Sequence, residues 1–424
     1  MRWFDHLSLL AGPVPVLLGV LAFAALAVVV VTQRLVTLSL TLLLAAGSLG
    51  LVVAVGLVTG IEHRVGSTFP HSFFVWAALP VFATALAATR WTSMGWARRG
   101  AAVAAVLLLI GFGLDQIDAH YAYLPTVGDV LGRPVQDQVV FRGDLVHPRL
   151  ALAPRPPVTD GHGTVLAVDL PGTTSGFHAR RAMVWLPPAW FAPHPPDLPA
   201  LIVLGGVPGD PANMIRAGGS VAVADAYAQA HGGMAPILVF ADQNGSFLND
   251  TECVDGPRGN SESYLVDDVR RQVEARFGAS TDGRRWGIVG YSEGGTCAID
   301  VALRHPDDFG TFLDIAGELV PSAASGPNAR ALTIRRLYGG DAAAWWAHDP
   351  FPLLRRRATH GLLALFAAGF KDRDAVRHSQ ELARAARRDG LTTDLDLFGG
   401  GHDFGMVSRA VAALLPRMAD RLLT

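Results

Sequence analysis

Three side chains carry the chemistry that is legible in this 424-residue chain. Ser292 stands in Gly290-Tyr291-Ser292-Glu293-Gly294, between the apolar run Trp286-Gly287-Ile288-Val289 and a helix-compatible stretch from Gly295. A serine on a sharp strand-to-helix turn is presented above a sheet edge, near the positive end of the helix, as a nucleophile requires. Bulky residues at 290 and 294 would collide with the adjoining strand or helix, so the glycines belong to the turn. His402 stands in Gly399-Gly400-Gly401-His402-Asp403-Phe404, between a final strand-like run and a final helical one. Flanking glycines let such an imidazole swing to the serine as general base. The loop Ala368-Gly369-Phe370-Lys371-Asp372-Arg373-Asp374 supplies the acid. Asp372, nearer the strand end, is expected to orient the imidazole; Asp374 is the alternative, or else the N-cap of the next helix.

An attacked carbonyl also needs donors for its developing oxyanion. The backbone N–H of Glu293 is one expectation. Val207, in Gly205-Gly206-Val207-Pro208-Gly209-Asp210, is the other, since Pro208 has no N–H to give. Asp242-Gln243-Asn244-Gly245-Ser246 lacks the spacing and terminal glutamate of a calcium loop and reads as an active-site loop built on turn residues. Cys253 and Cys297 are the two cysteines, one in the loop before the helix at 264 and one a turn past the serine. A disulfide between them and a pair of unbonded thiols both stand open. With no Cys-x-x-Cys pair, neither a metal site nor a cofactor is expected. Trp345 and Trp346 either cap an acyl-binding cleft or pack.

The elements that must position these residues begin at Gly163. Strand-like runs at 164–170, 181–186, 200–205, 236–241, 286–289, 312–315, 362–367 and 392–398 alternate with helical patterns near 221–231, 264–277, 375–388 and 402–423. The alternation predicts an α/β domain over 161–424, a mostly parallel sheet flanked by helices. Residues 121–160, rich in proline, glycine and polar residues, read as a juxtamembrane linker. Residues 1–120 hold the apolar excess behind a mean hydropathy of +0.31. Four apolar segments, 14–32, 38–59, 71–89 and 100–117, each approach the ~20 residues that cross a bilayer. Asp115 and Gln116 make the fourth the weakest.

Arg34 in the first connection and Arg90, Arg98 and Arg99 in the third place those connections in the cytoplasm, against Arg2 and Arg64 on the other side. Four spans then put residues after 118 outside; three would keep them inside. The lack of mid-span charge in the first three segments favours an anchor over a transporter. Gly19, Gly47, Gly50, Gly56 and Gly60 are expected to allow close helix approach. A net charge of −2 offers no basic field for nucleic acid. The oligomeric state is not legible.

Serine, acid and histidine follow the chain order of α/β-hydrolases. The stretch from about 163 to 424 resembles the putative-esterase family of that fold, which includes esterase D-like enzymes and secreted mycolyltransferases. Met183-Val184-Trp185-Leu186-Pro187-Pro188, Gly205–Gly209, Gly290–Gly294, Gly369–Asp372 and Gly401-His402 carry the likeness. With its multi-span anchor the chain looks like membrane esterases of high-GC actinobacteria. The resemblance implies a serine esterase that cleaves carboxylic esters through an acyl-enzyme, and the anchor, which would hold the site near lipid esters, points to esters of cell-envelope lipids as its substrates. An acyltransferase using the same intermediate and a catalytically inactive binding module are the competing expectations.

Overall fold

The computed structural model describes residues 3–32, 40–65, 69–89, 91–131, 139–140, 161–356, 359 and 361–424. Most of the expected linker, together with Arg2, Arg34 and Arg90, lies outside the described residues. The chain divides into two compact units, Met1–Arg133 and Pro134–Thr424.

The first unit is built on α1 (Pro13–Thr32), α2 (Leu40–Val65), α3 (His71–Ala88) and α4 (Trp96–Tyr121). Among the described residues, three stretches are long and apolar enough to cross a membrane: Thr41–His63, His71–Ala88 and Trp96–Tyr121. The segment marked weakest by its acidic end is therefore among them. Pro13–Val29 is the shorter apolar stretch. Leu17, Leu44, Val52, Leu57, Leu107 and Leu114 are exposed, so the outward faces are apolar rather than polar. Gly19 and Gly50 do sit at close approaches: a Cβ there would meet the Phe112 ring at 2.9 Å or the Ala78 carbonyl at 3.0 Å. Gly47, Gly56 and Gly60 face open space, which corrects that expectation, while Gly113 packs against the Trp76 backbone.

The second unit is an α/β domain around one sheet, nine-stranded among the described residues. Its strands are β1 (Val139–Val140), β2 (Thr164–Val168), β3 (Ala182–Leu186), β4 (Ala200–Leu204), β5 (Ile237–Phe240), β8 (Trp286–Tyr291), β9 (Thr311–Ile315), β10 (Leu363–Gly369) and β11 (Thr392–Phe398). A two-stranded hairpin, β6 (Asp255–Gly256) and β7 (Gly259–Asn260), stands apart. The order is β1-β2-β3-β5-β4-β8-β9-β10-β11, with β2–β3 and β3–β5 antiparallel and all other pairs parallel. Strands β3, β4, β5, β8 and β9 are buried throughout, which is why all but β9, interrupted by the buried Asp314, read as apolar runs. Helices α5 (Ser220–Ala230), α6 (Arg270–Phe277), α7 (Glu293–Arg304), α8 (Arg373–Arg388) and α9 (Phe404–Leu423) cover it. Edge strand β11 carries Asp394 and Asp396 to Arg417 of α9, a charged edge that discourages further pairing.

In a parallel sheet, loops at the carboxyl ends of neighbouring strands converge. The loops after β4, β8, β10 and β11 hold Gly205–Gly209, Ser292, Asp372 and His402. Between β9 and β10 the chain makes an excursion unmarked by sequence pattern, the short helices Ala329–Tyr338, Ala342–Trp346 and Pro350–Leu354.

Candidate active site

Ser292 links β8 to α7 with φ 59° and ψ −121°, a left-handed conformation rare for a side-chain-bearing residue. Its N–H is tied to the Ile315 carbonyl of β9 at 2.9 Å. The flanking glycines are required sterically. A Cβ at Gly290 would run into the Gly294 backbone, and one at Gly294 into the Gly205 carbonyl.

His402 Nε2 lies 2.8 Å from Ser292 Oγ, and its Nδ1 lies 2.6 Å from Asp372 Oδ2. Three residues separated by 110 and 30 positions thus meet in one hydrogen-bonded line. The imidazole leans on the Tyr291 ring, centroids 4.9 Å apart, and Tyr291 in turn packs on Phe404. Asp403 fixes the turn beneath it by accepting the N–H groups of Gly401 (2.7 Å) and Met406 (2.9 Å).

Asp372 does two jobs. Its Oδ2 faces His402, and its Oδ1 caps α8 by accepting the Ala375 N–H at 3.1 Å. The cap is therefore Asp372, not Asp374, which is mostly exposed and pairs with Arg377 at 2.7 Å. Burial pushes the Asp372 carboxyl up, but the hydrogen bond and charge of His402 outweigh it, and the group titrates below its ordinary range.

The Gly205–Gly209 loop crosses beside the serine: a Cβ on Gly206 would stand 2.9 Å from that of Ser292. Among the described residues, no protein group accepts the N–H of Val207 or of Glu293. The loop is braced by Arg180, which donates to the Gly209 carbonyl (3.0 Å) and forks onto buried Asp242 (3.0 and 2.6 Å). Gln243 Nε2 donates both to the Gly205 carbonyl (2.9 Å) and to Glu293 Oε2 (3.0 Å), and Asn244 Nδ2 adds a bond to that oxygen at 3.1 Å. Burial, with the Asp250 carboxylate nearby, pushes Glu293 up to about 8 despite these donors.

Cys253 and Cys297 form a disulfide that joins the loop before β6 to the first turns of α7. Glu293 and the two sulfurs converge, but bonded sulfurs are not thiolate donors and the trio does not suit a metal. Trp345 packs among Val254, Ala323, Leu337 and Tyr338, while Trp346 is half exposed and Arg330 lies over both indoles at 5.2 and 5.5 Å. Arg180, Gln243, Asn244 and Tyr291 had no individual role assigned in the sequence; Tyr291 lay inside the serine motif, and Gln243 and Asn244 lay in the 242–246 stretch read as an active-site loop, whereas Arg180 carried no signal.

The family model described as "Putative esterase" matches residues 177–410. The chain belongs to this esterase family. All three members of the hydrogen-bonded line fall within the matched residues of this esterase-family chain. An uncharacterized protein of Corynebacterium glutamicum is 34% identical over 269 residues, 61% of this chain. The chain spans 62% of that relative's length. Among solved structures, a ferulic acid esterase is 16% identical with a TM-score of 0.53, covering 61% of this chain and 99% of its own. A fluorophosphonate-binding serine hydrolase of Staphylococcus aureus is 18% identical with a TM-score of 0.50, covering 61% and 99%. These likenesses establish the fold of the esterase-family unit.

Proposed function

We propose that the chain is a membrane-anchored serine esterase in which Ser292, His402 and Asp372 act as a catalytic triad. One observation carries the reading: a single imidazole within hydrogen-bond reach of both the hydroxyl and the carboxylate. Ser292 Oγ attacks the ester carbonyl carbon as its proton passes to His402 Nε2. The carbonyl electrons move to oxygen, where the N–H groups of Val207 and Glu293 receive the charge. Asp372 holds the imidazole tautomer and stabilises the imidazolium, which protonates the departing alcohol. Water, deprotonated by the same histidine, then frees the acyl group from Ser292.

Phe247 and Phe370 support an apolar ester as substrate. Both rings are exposed, one on the loop whose carbonyl holds Gly209 and one beside Asp372. The apolar helices of the first unit favour esters of cell-envelope lipids. In this reading residues 1–120 form a four-span anchor, 121–160 a linker and 161–424 the catalytic domain, outside the cytoplasmic membrane. The Cys253–Cys297 disulfide supports that side, since disulfides persist in oxidising compartments. Delivery of the acyl group to a sugar or lipid hydroxyl would use the same intermediate, and transesterified product in the presence of such acceptors would reveal it.

A fluorophosphonate probe should label the purified chain, and Ser292→Ala should abolish the label. Labelling that persists in Ser292→Ala would refute the nucleophile. A membrane-impermeant version should label intact cells; labelling only after lysis would place the domain inside.

A further inference from the structure

Resting on the serine-hydrolase reading, we infer that Gln243 is a positioning residue that sets the spacing between the two halves of the oxyanion hole. One amide nitrogen spans them. Nε2 donates to the Gly205 carbonyl at 2.9 Å and to Glu293 Oε2 at 3.0 Å. Gly205 follows β4 directly and lies two residues before Val207, the donor on one side. Glu293 opens α7 and supplies the other donor from its own backbone. Among the described residues no direct hydrogen bond joins the 205–209 loop to residues 292–294, so the amide is the polar link between them.

The strut is itself held rigidly. Gln243 is buried, and its backbone carbonyl accepts the hydroxyls of Thr251 (2.9 Å) and Ser261 (2.6 Å). Asn244 adds a parallel donor to the same Glu293 oxygen, and Thr251 pins Asn244 Oδ1 through its N–H (3.1 Å), its single hydroxyl proton being shared between that oxygen (3.0 Å) and the Gln243 carbonyl. The neutral form of Glu293 suits the arrangement. Oε2 accepts two N–H groups, while Oε1 lies 3.2 Å from Cys297 Sγ, a bonded sulfur with no proton to donate. The carboxyl proton therefore belongs on Oε1, pointing at sulfur. Donors stabilise an oxyanion only when held about 2.7–3.1 Å from the place where charge develops. Moving one donor relative to the other by a fraction of an ångström penalises the tetrahedral state far more than the bound ester.

The test uses the full chain in detergent with a short p-nitrophenyl ester, and a fluorophosphonate titration that counts reactive serines. Gln243→Met keeps the length of the side chain and removes its donors. We expect kcat per titrated serine to fall about 10- to 100-fold with KM changed less than about threefold. Affinity for a trifluoromethyl ketone, which forms the tetrahedral adduct, should fall by the same factor as kcat/KM. Gln243→Glu, which sets an acceptor against two acceptors, should fall at least as far. If Gln243→Met only reduces the number of titratable serines, with kcat per serine and ketone affinity unchanged, Gln243 merely supports the fold and the inference is overturned. Wild-type chain that neither labels nor turns over would instead defeat the serine-hydrolase reading itself.

Discussion

At the scale of single residues, Asp372 is the most informative, because one carboxylate serves the histidine and the helix at once. The two roles separate experimentally. Asn is as good an N-cap as Asp but presents the wrong partner to the imidazole. Asp372→Asn should therefore lower kcat by about 10³- to 10⁴-fold with little change in stability. Asp372→Ala should add a loss of about 1 kcal/mol for the missing cap. Asp374→Asn should leave kcat near wild type; a large loss there would mean that the acid has been misassigned. That Ser292, Asp372 and His402 come together was legible because each follows a strand, in the chain order of the proposed triad. Gln243 was not: its partners lie 38 and 50 positions away, and nothing local in Asp242-Gln243-Asn244 announces which carbonyl the amide will meet.

Among elements, the strands were easy to locate because β4, β5 and β8 are buried on both faces and leave apolar runs in the chain. The stretch from 318 to 354 yielded no element, only the pair Trp345 and Trp346. Its helices have 10, 5 and 5 residues, too short for a 3.6-residue period to declare itself. Two of them start from local caps, Asp341 and Asp349. Arg180 and Asp242, which together brace the Gly205–Gly209 loop, are likewise a product of tertiary folding. Arg180 meets Asp242 across 62 positions, and the aspartate is buried. Arg180→Met should cost about 2 kcal/mol, less than unpairing a wholly enclosed charge usually costs, because the Arg180 backbone N–H still reaches Asp242. Thermal unfolding of the variant measures it; an unchanged midpoint would show that the pair is not stabilising.

For the whole molecule, buried carboxyls set the response to pH. Asp250 and Asp314 are each pushed up to about 7 and Glu293 to about 8, burial being the first cause in all three. The folded chain therefore holds protons that the unfolded chain has already released. Stability should fall as pH rises from about 5 to about 8 and level off beyond. The midpoint of unfolding, followed in detergent from pH 5.5 to 8.5, should drop across that window, and Glu293→Gln should flatten the drop. A midpoint that rises instead would show that these groups are ionised in the fold.

The Cys253–Cys297 bond closes a covalent ring, and the proposed nucleophile is a member of it, five residues from one junction. The ring also contains the partly exposed β6–β7 hairpin. A protease that nicks the hairpin would leave the polypeptide in one piece on a non-reducing gel, its serine still in place. Thiol treatment after denaturation would release two fragments, with a fluorophosphonate tag travelling on the carboxyl-terminal one.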